Sequence, residues 1–117
     1  MAVFIGGGLG SVLRFGISEI VRHYFSGNFP LATFISNLLS CFLLGLMVYY
    51  LNDKLQQQQL LKLLLVIGVC GGFSTFSSFS YETVTLFKDG NAMLAVANVL
   101  FSFLACFGIV FYFLKNQ

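Results

Sequence analysis

Long apolar blocks alternate with short polar connections along the chain, and four of the blocks are long enough to cross a bilayer. A helix needs about 20 apolar residues to span a hydrocarbon core of roughly 30 Å. The blocks that meet this length are residues 2–25, 31–51, 60–87 and 92–114. The pattern therefore predicts an all-α integral membrane protein, with one transmembrane domain over residues 1–117.

The third block contains a polar interruption that begins with two glycines and continues with five hydroxyl residues, Gly71 to Ser80. As one straight helix, residues 60–87 would be about 42 Å long at ~1.5 Å per residue, more than the ~30 Å core. Adjacent glycines each cost about 0.8–1 kcal/mol relative to alanine inside a helix. A break near residues 71–75 is predicted, and broken helices mark ion and substrate sites. A kink packed by small residues is the alternative.

Composition agrees with a membrane location and excludes several classes of function. Hydrophobic residues make up 58% of the chain and charged residues 9%, which is too little polar surface for a soluble domain. A net charge of +2 without a basic stripe gives no surface for nucleic acid. The three cysteines each lie within an apolar block and are predicted to be buried packing residues rather than disulfide or zinc ligands.

The basic residues are nearly balanced between the two predicted sides of the membrane. Lys54, Lys62 and Lys115 lie on the side of the termini, and Arg22 and Lys88 lie on the other. So small a difference gives little positive-inside preference. Two copies inserted in opposite directions could then assemble about a two-fold axis in the membrane plane, and an ordinary single topology is the alternative.

Three polar features within the apolar blocks need partners. A central arginine costs roughly 2.5–3.5 kcal/mol on insertion scales, so Arg14 either snorkels to the surface, helped by Glu19, or attracts anions in an aqueous vestibule. Asn37 must also be paired, and either joins two helices or lines a pore. Asn98 and Ser102 lie four residues apart on one helix face, which suggests a polar track beside the broken helix.

Three longer motifs carry a resemblance to a known family. The stretches are Gly6–Phe15 in the first span, Asn37–Gly45 in the second and Gly71–Glu82 in the third. They resemble the GGxxGAxxRY, NxxGSFxxG and GGxTTFSTFxxE signatures of the Fluc (CrcB) fluoride channels of bacteria, and the resemblance covers nearly the whole chain. The departures are Phe15 for tyrosine, Ser40-Cys41 for glycine-serine, Ser74 for threonine, Asn98 for a frequent tyrosine and Cys106 for a frequent hydroxyl.

The resemblance implies an antiparallel, dual-topology homodimer of four-span chains in the bacterial inner membrane. It implies a fluoride pathway lined by Asn37, Phe76, Ser77, Ser78, Phe79, Glu82, Asn98 and Ser102, with Arg14 at a vestibule. It also implies a structural sodium ion on the dimer axis, held by the backbone carbonyls of Gly71 and Ser74 from both subunits. None of these residues has a catalytic role.

These observations predict a fluoride-selective channel for passive efflux that lowers cytoplasmic fluoride, and not an enzyme. Hydroxyl and amide donors would replace the water around the ion, and the weakly positive ring edges of Phe76 and Phe79 would contact it. A proton-coupled exporter of the small multidrug-resistance type is the main alternative, but such exporters use a carboxylate at the depth that Arg14 occupies. A non-conducting subunit of a larger complex is the third possibility.

Overall fold

The computed structural model describes residues 1–117 and is entirely helical, with no strand. Its elements are α1 (Ala2–Tyr24), α2 (Leu31–Gln57), α3 (Gln59–Lys62), a π-helical segment (Leu63–Cys70), α4 (Gly71–Phe73), α5 (Phe76–Lys88) and α6 (Ala92–Lys115). Four helical units are long and apolar enough to cross a membrane: α1, α2, the unit Gln59–Lys88, and α6. The predicted all-helical, four-span architecture is confirmed.

Helix α2 is longer than the predicted second span and includes most of the polar connection that follows it. It continues through Asn52 and ends at Gln57, where the sequence predicted a connection after Leu51. Within this extension Gln56 Nε2 donates to Asn52 Oδ1 at 3.3 Å, and Leu55 is buried. Polar residues with good helix propensity can prolong a helix beyond the bilayer, so polarity alone did not mark the end of α2.

Glycines bring α1 into direct backbone contact with the third span. A Cβ added to Gly6 would lie 2.9 Å from Gly68 Cα, and one added to Gly10 would lie 2.7 Å from the Phe73 nitrogen. Real Cβ atoms do not approach backbone so closely, so larger side chains at either position would separate the two helices. Gly6 and Gly10, small residues spaced four apart on one face of α1, therefore form the contact that holds α1 against the third span.

The interior of the chain is polar and small, whereas its outside is apolar. Only 17 of the 117 residues are buried, and seven of these are polar, including Ser36, Thr83 and Asn98. Large apolar side chains face outward on every span, among them Phe4 and Phe111. A soluble protein has the reverse arrangement. The distribution fits a protein whose outer surface contacts lipid.

The three cysteines are free, and they differ in burial. Cys70 is buried, and its Sγ lies 3.9 Å from Met47 Sδ. Cys41 and Cys106 are only partly buried, because both line an open groove between helices. The prediction that all three are buried packing residues is therefore wrong for Cys41 and Cys106.

Candidate functional site

The site begins where α4 ends at Phe73 and α5 starts at Phe76. The two residues between the helices have extended backbone, with ψ of 158° at Ser74 and 122° at Thr75. The Cys70 carbonyl oxygen accepts three hydrogen bonds on the upstream side. Its donors are the Ser74 amide at 3.1 Å, the Ser74 hydroxyl at 3.0 Å and the Ser40 hydroxyl at 2.8 Å. The Cys70 carbonyl, near the end of the upstream half of the span, thus has its hydrogen bonds supplied by two serines.

Asn37 of α2 holds the extended residue Thr75 through both ends of its side-chain amide. Its Oδ1 accepts the Thr75 N–H at 2.7 Å, and its Nδ2 donates to the Thr75 carbonyl at 3.1 Å. Backbone groups freed at bilayer depth need such partners, since lipid offers none. Asn37 therefore joins two helices, and it also lines the groove described below. These were the two roles left open for this residue by the sequence.

Thr75 is the N-cap of α5, a role that the sequence analysis did not assign. Its Oγ1 accepts the Ser78 N–H at 3.3 Å and lies 3.3 Å from the Ser77 hydroxyl. Threonine at an N-cap satisfies one of the helix's unpaired amides. The available signal was a threonine immediately before the point where the helical pattern resumes.

Two carbonyl oxygens at the break lose their helical donors through these contacts. The Thr75 N–H is bonded to Asn37, so it does not reach Gly71, and the Ser78 N–H is bonded to the Thr75 side chain, so it does not reach Ser74. The neighbouring carbonyls of Cys70 and Thr75 are occupied by other donors. Gly71 is also exposed on the surface of the chain. Uncharged oxygen ligands of this kind suit small, hard cations.

An open groove with a volume of about 220 Å³ runs beside the break. Four of the predicted pathway residues line it: Asn37, Phe76, Phe79 and Ser102. The remaining lining residues are Cys41, Ser74, Thr75, Phe103, Cys106 and Phe107. The groove therefore combines aromatic rings from α5 and α6 with a short series of hydroxyl, thiol and amide groups.

The aromatic rings of the groove form a continuous series. Phe76 and Phe79 have ring centroids 5.8 Å apart, and Phe79 meets Phe103 edge-on at 6.0 Å. Phe103 in turn meets Phe107 edge-on at 5.3 Å. Phe79 is buried, whereas Phe76 is 72% exposed. Phe103 and Phe107 were missed by the sequence analysis, because nothing in the apolar pattern of α6 distinguishes rings that face a groove from rings that face lipid.

A second cavity, of about 310 Å³, is polar and is lined by three more of the predicted site residues. Arg14, Ser78 and Glu82 all line it, and Thr75 lines both this cavity and the groove. Glu82 Oε1 accepts a hydrogen bond from the Thr33 hydroxyl at 2.8 Å, while its Oε2 is buried without a partner. The cavity and the groove thus meet at Thr75, the N-cap residue of α5.

The proposed assistance of Arg14 by Glu19 is wrong. Glu19 is paired with Arg22 at 2.5 Å, one helical turn away on the same exposed surface. Arg14 instead lines the polar cavity, together with Ser11 and Ser18 of its own helix. Arg14 therefore borders a polar cavity, and its role at a vestibule stays a prediction.

Asn98 and Ser77 lie outside the groove. Asn98 is buried between helices, where its Nδ2 donates to Thr83 Oγ1 at 2.9 Å and its Oδ1 accepts from Ser102 Oγ at 3.3 Å. Thr83 Oγ1 donates to the Phe79 carbonyl at 2.7 Å. This series of hydrogen bonds connects α6 to α5 behind Phe79. Ser77 is exposed beside Thr75.

The chain resembles known proteins over almost its full length. Residues 1–113 match the family model described as CrcB-like protein, Camphor Resistance (CrcB). The Fluoride-specific ion channel FluC of Ruminiclostridium cellulolyticum is 42% identical over 106 residues, which cover 91% of this chain and 82% of the relative. The protein of the same name from Serratia proteamaculans is 45% identical over 100 residues, covering 86% and 78%. That from Flavobacterium psychrophilum is 40% identical over 93 residues, covering 80% and 75%.

Replacing Asn37 by leucine should destabilise the break. Asn37→Leu leaves the N–H and carbonyl of Thr75 without their partners, and a buried group left unsatisfied costs about 1–3 kcal/mol. We expect a fall of that order in the free energy of unfolding in detergent, and faster hydrogen exchange at the Thr75 amide by mass spectrometry. Asn116→Leu is the matched control, because Asn116 donates only to the exposed Tyr112 carbonyl. Equal stability and equal exchange in the two variants would contradict the assignment.

Proposed function

Because the chain belongs to the CrcB family, we propose that it is a fluoride-selective ion channel that lets fluoride leave the cell passively and lowers cytoplasmic fluoride. The observation that carries this function is the similarity to fluoride-specific channels over most of the chain. The protein is a multi-pass membrane protein and not an enzyme. We also propose that it lies in the bacterial plasma membrane.

The groove provides hydrogen-bond donors and aromatic ring edges that can replace the water around a small, hydrated anion. Asn37 uses only one of its two Nδ2–H donors on Thr75, so the other is available to the groove. The hydroxyls of Ser74 and Ser102 each donate their single proton within the chain, to the Cys70 carbonyl and to Asn98 Oδ1, so each would exchange that partner for the ion in order to bind it. The edges of Phe76 and Phe79 carry the positive part of the ring quadrupole, which attracts an anion weakly enough to release it.

The proposed path runs from the polar cavity into the groove and passes Thr75. Arg14 gives the cavity positive charge that raises the local concentration of anions, and Ser78 and Glu82 line the approach. Ser77 supplies a hydroxyl at the outer side of Thr75. Asn98 acts from behind the wall of the groove, where its hydrogen bond positions Ser102.

The same observations disfavour the multidrug exporter. The deep ionisable residue of α1 is Arg14 rather than a carboxylate. The relatives named fluoride-specific ion channels, 40–45% identical to the chain, also favour a channel.

The proposed assembly is an antiparallel homodimer of chains in dual topology. The near balance of basic residues removes a strong preference for either orientation. Gly71 lies exposed at the middle of a membrane span, where an uncovered carbonyl would face lipid at a cost of several kcal/mol. A second copy over this surface would remove that cost.

We further propose that the dimer holds one sodium ion between the two breaks. The carbonyls of Gly71 and Ser74 are among those at the break that receive no helical donor, as are those of Gly72 and Phe73, whereas those of Cys70 and Thr75 are satisfied. Two carbonyls from each subunit would give four neutral oxygen ligands. When bound, the ion would compensate these oxygens electrostatically and hold the subunits together, and it has no part in chemistry.

Substitution of the groove phenylalanines should slow fluoride efflux. Phe76→Ile and Phe79→Ile remove a polarised ring edge while keeping an apolar side chain. We expect efflux from liposomes, followed with a fluoride electrode in the absence of a proton gradient, to fall by at least about tenfold, equivalent to about 1.4 kcal/mol. Phe111→Ile is the control, since Phe111 is 67% exposed and outside the groove. Wild-type efflux in well-folded Phe76→Ile and Phe79→Ile would refute the pore assignment.

Dual topology predicts that each exposed lysine is accessible from both sides of the membrane. Lys54 and Lys88 are both exposed and lie on opposite sides of one chain. We expect an impermeant amine reagent to label both lysines from outside intact cells and again from inside inverted vesicles, as mapped by peptide mass spectrometry. A soluble cytoplasmic marker checks that the membranes are sealed. Labelling of each lysine from one side alone would establish a single topology instead.

Removal of sodium should weaken the dimer. With N-methyl-D-glucamine in place of sodium, uncompensated carbonyls face one another, so we expect a larger monomer fraction in sedimentation of the detergent-solubilised protein. Ser74→Ala keeps the backbone carbonyl, and it should keep the dependence on sodium. A dimer fraction that does not respond to sodium would argue against a shared cation.

A further inference from the structure

Cys41 and Cys106 form a pair of thiols in the wall of the groove. Cys41 lies on α2 and Cys106 on α6, and these two helices pack against each other, with the rings of Phe42 and Phe113 5.6 Å apart between them. Both cysteines are free and partly exposed, and both line the groove. Two sulfur ligands from different helices therefore face the same groove, in a place that an ion could enter.

The chemistry around the pair favours soft cations. The groove contains no carboxylate and no histidine, so the hard cations Mg²⁺ and Ca²⁺ find no charged oxygen ligand there. Thiolates prefer soft metals, and two sulfurs without further strong donors suit ions that accept two-fold coordination, such as Hg²⁺, Ag⁺ and Cu⁺. The third thiol, Cys70, does not line the groove and contacts Met47 instead.

We propose that Cys41 and Cys106 together form a binding site for a two-coordinate, thiophilic metal ion. Each thiol loses its proton as its sulfur bonds to the metal, so Hg²⁺ and two thiols give one S–Hg–S bridge and two protons. No oxidant or reductant is needed. The bridge joins α2 to α6 across the wall of the groove.

An ion at this pair would obstruct the groove. Cys41 is four residues from Asn37 on α2, and Cys106 is four residues from Ser102 on α6, so each thiol lies one helical turn from a proposed fluoride contact. A bridging metal would occupy space in the same groove as Phe76 and Phe79. The obstruction of fluoride flux rests on the proposed function, whereas metal binding does not.

The binding test uses the full-length protein in detergent with Hg²⁺ as the probe. Intact-mass spectrometry should show one mercury added and two protons lost per chain, because a bridge displaces both thiol protons. Cys41→Ser and Cys106→Ser should lose this bridged adduct, and Cys70→Ser should keep it. A bridged adduct that survives in Cys41→Ser or Cys106→Ser, or an adduct on a single sulfur in the wild type, would overturn the site. Cys70→Ala replaces Cys70→Ser if gel filtration shows that the serine variant does not fold.

The flux test compares each protein in liposomes with its own rate before mercury is added. We expect Hg²⁺ to abolish most fluoride efflux of the wild type and of Cys70→Ser, to have little effect on Cys41→Ser and Cys106→Ser, and to be reversed by excess free thiol. A bridged adduct with unchanged efflux would overturn the obstruction. Absence of fluoride efflux before mercury would refute the proposed function, and the mass measurement would still decide the metal site.

Discussion

The two hydrogen bonds between one side-chain amide and one backbone residue decide where the third span is interrupted. Lipid cannot satisfy backbone groups, so an interruption persists only where protein supplies partners. Asn37 supplies both a donor and an acceptor to Thr75. Because the amide comes from α2, the position of the break depends on how α2 packs against the third span as well as on the third span's glycines. The start of α5, and with it the positions of Phe76 and Phe79, follows from this contact.

The same contact, together with the cap of α5, removes the helical donors of two carbonyls at the break. A straight helix would use the Thr75 N–H for Gly71 and the Ser78 N–H for Ser74. Asn37 takes the first donor and the Thr75 hydroxyl takes the second. Satisfying the donors of the break therefore exposes acceptors a few residues upstream. The local electrostatic result is a negative patch of backbone oxygen on one side of the break and a groove of ring edges and polar hydrogens beside it.

Much of this architecture was predictable, because it depends on local pattern. Span length, the glycine spacing at Gly6 and Gly10, and the polar interruption of the third span are each visible in a short window of sequence. What the sequence could not predict depends on pairings between distant helices. Whether Asn98 faces a groove or a neighbouring helix is decided by Thr83, and whether Cys41 is buried is decided by the open space beside Cys106. A single sequence contains no signal for either, nor for Thr75 as the residue shared by the cavity and the groove.

A rigid, polar interior is a physical requirement of the proposed conduction. An anion moving through a groove about 220 Å³ in volume needs its contacts at fixed positions, since displaced rings would either block or release it. The hydrogen bonds from Ser102 through Asn98 and Thr83 to the Phe79 carbonyl provide this support from α6. Asn37 provides it from α2. The Phe79 backbone is thus supported from α6, and the start of α5 at Thr75 is supported from α2, whereas Phe76 is 72% exposed. In the proposed dimer, a second chain over the break would cover both Phe76 and the free carbonyls of Gly71 and Ser74.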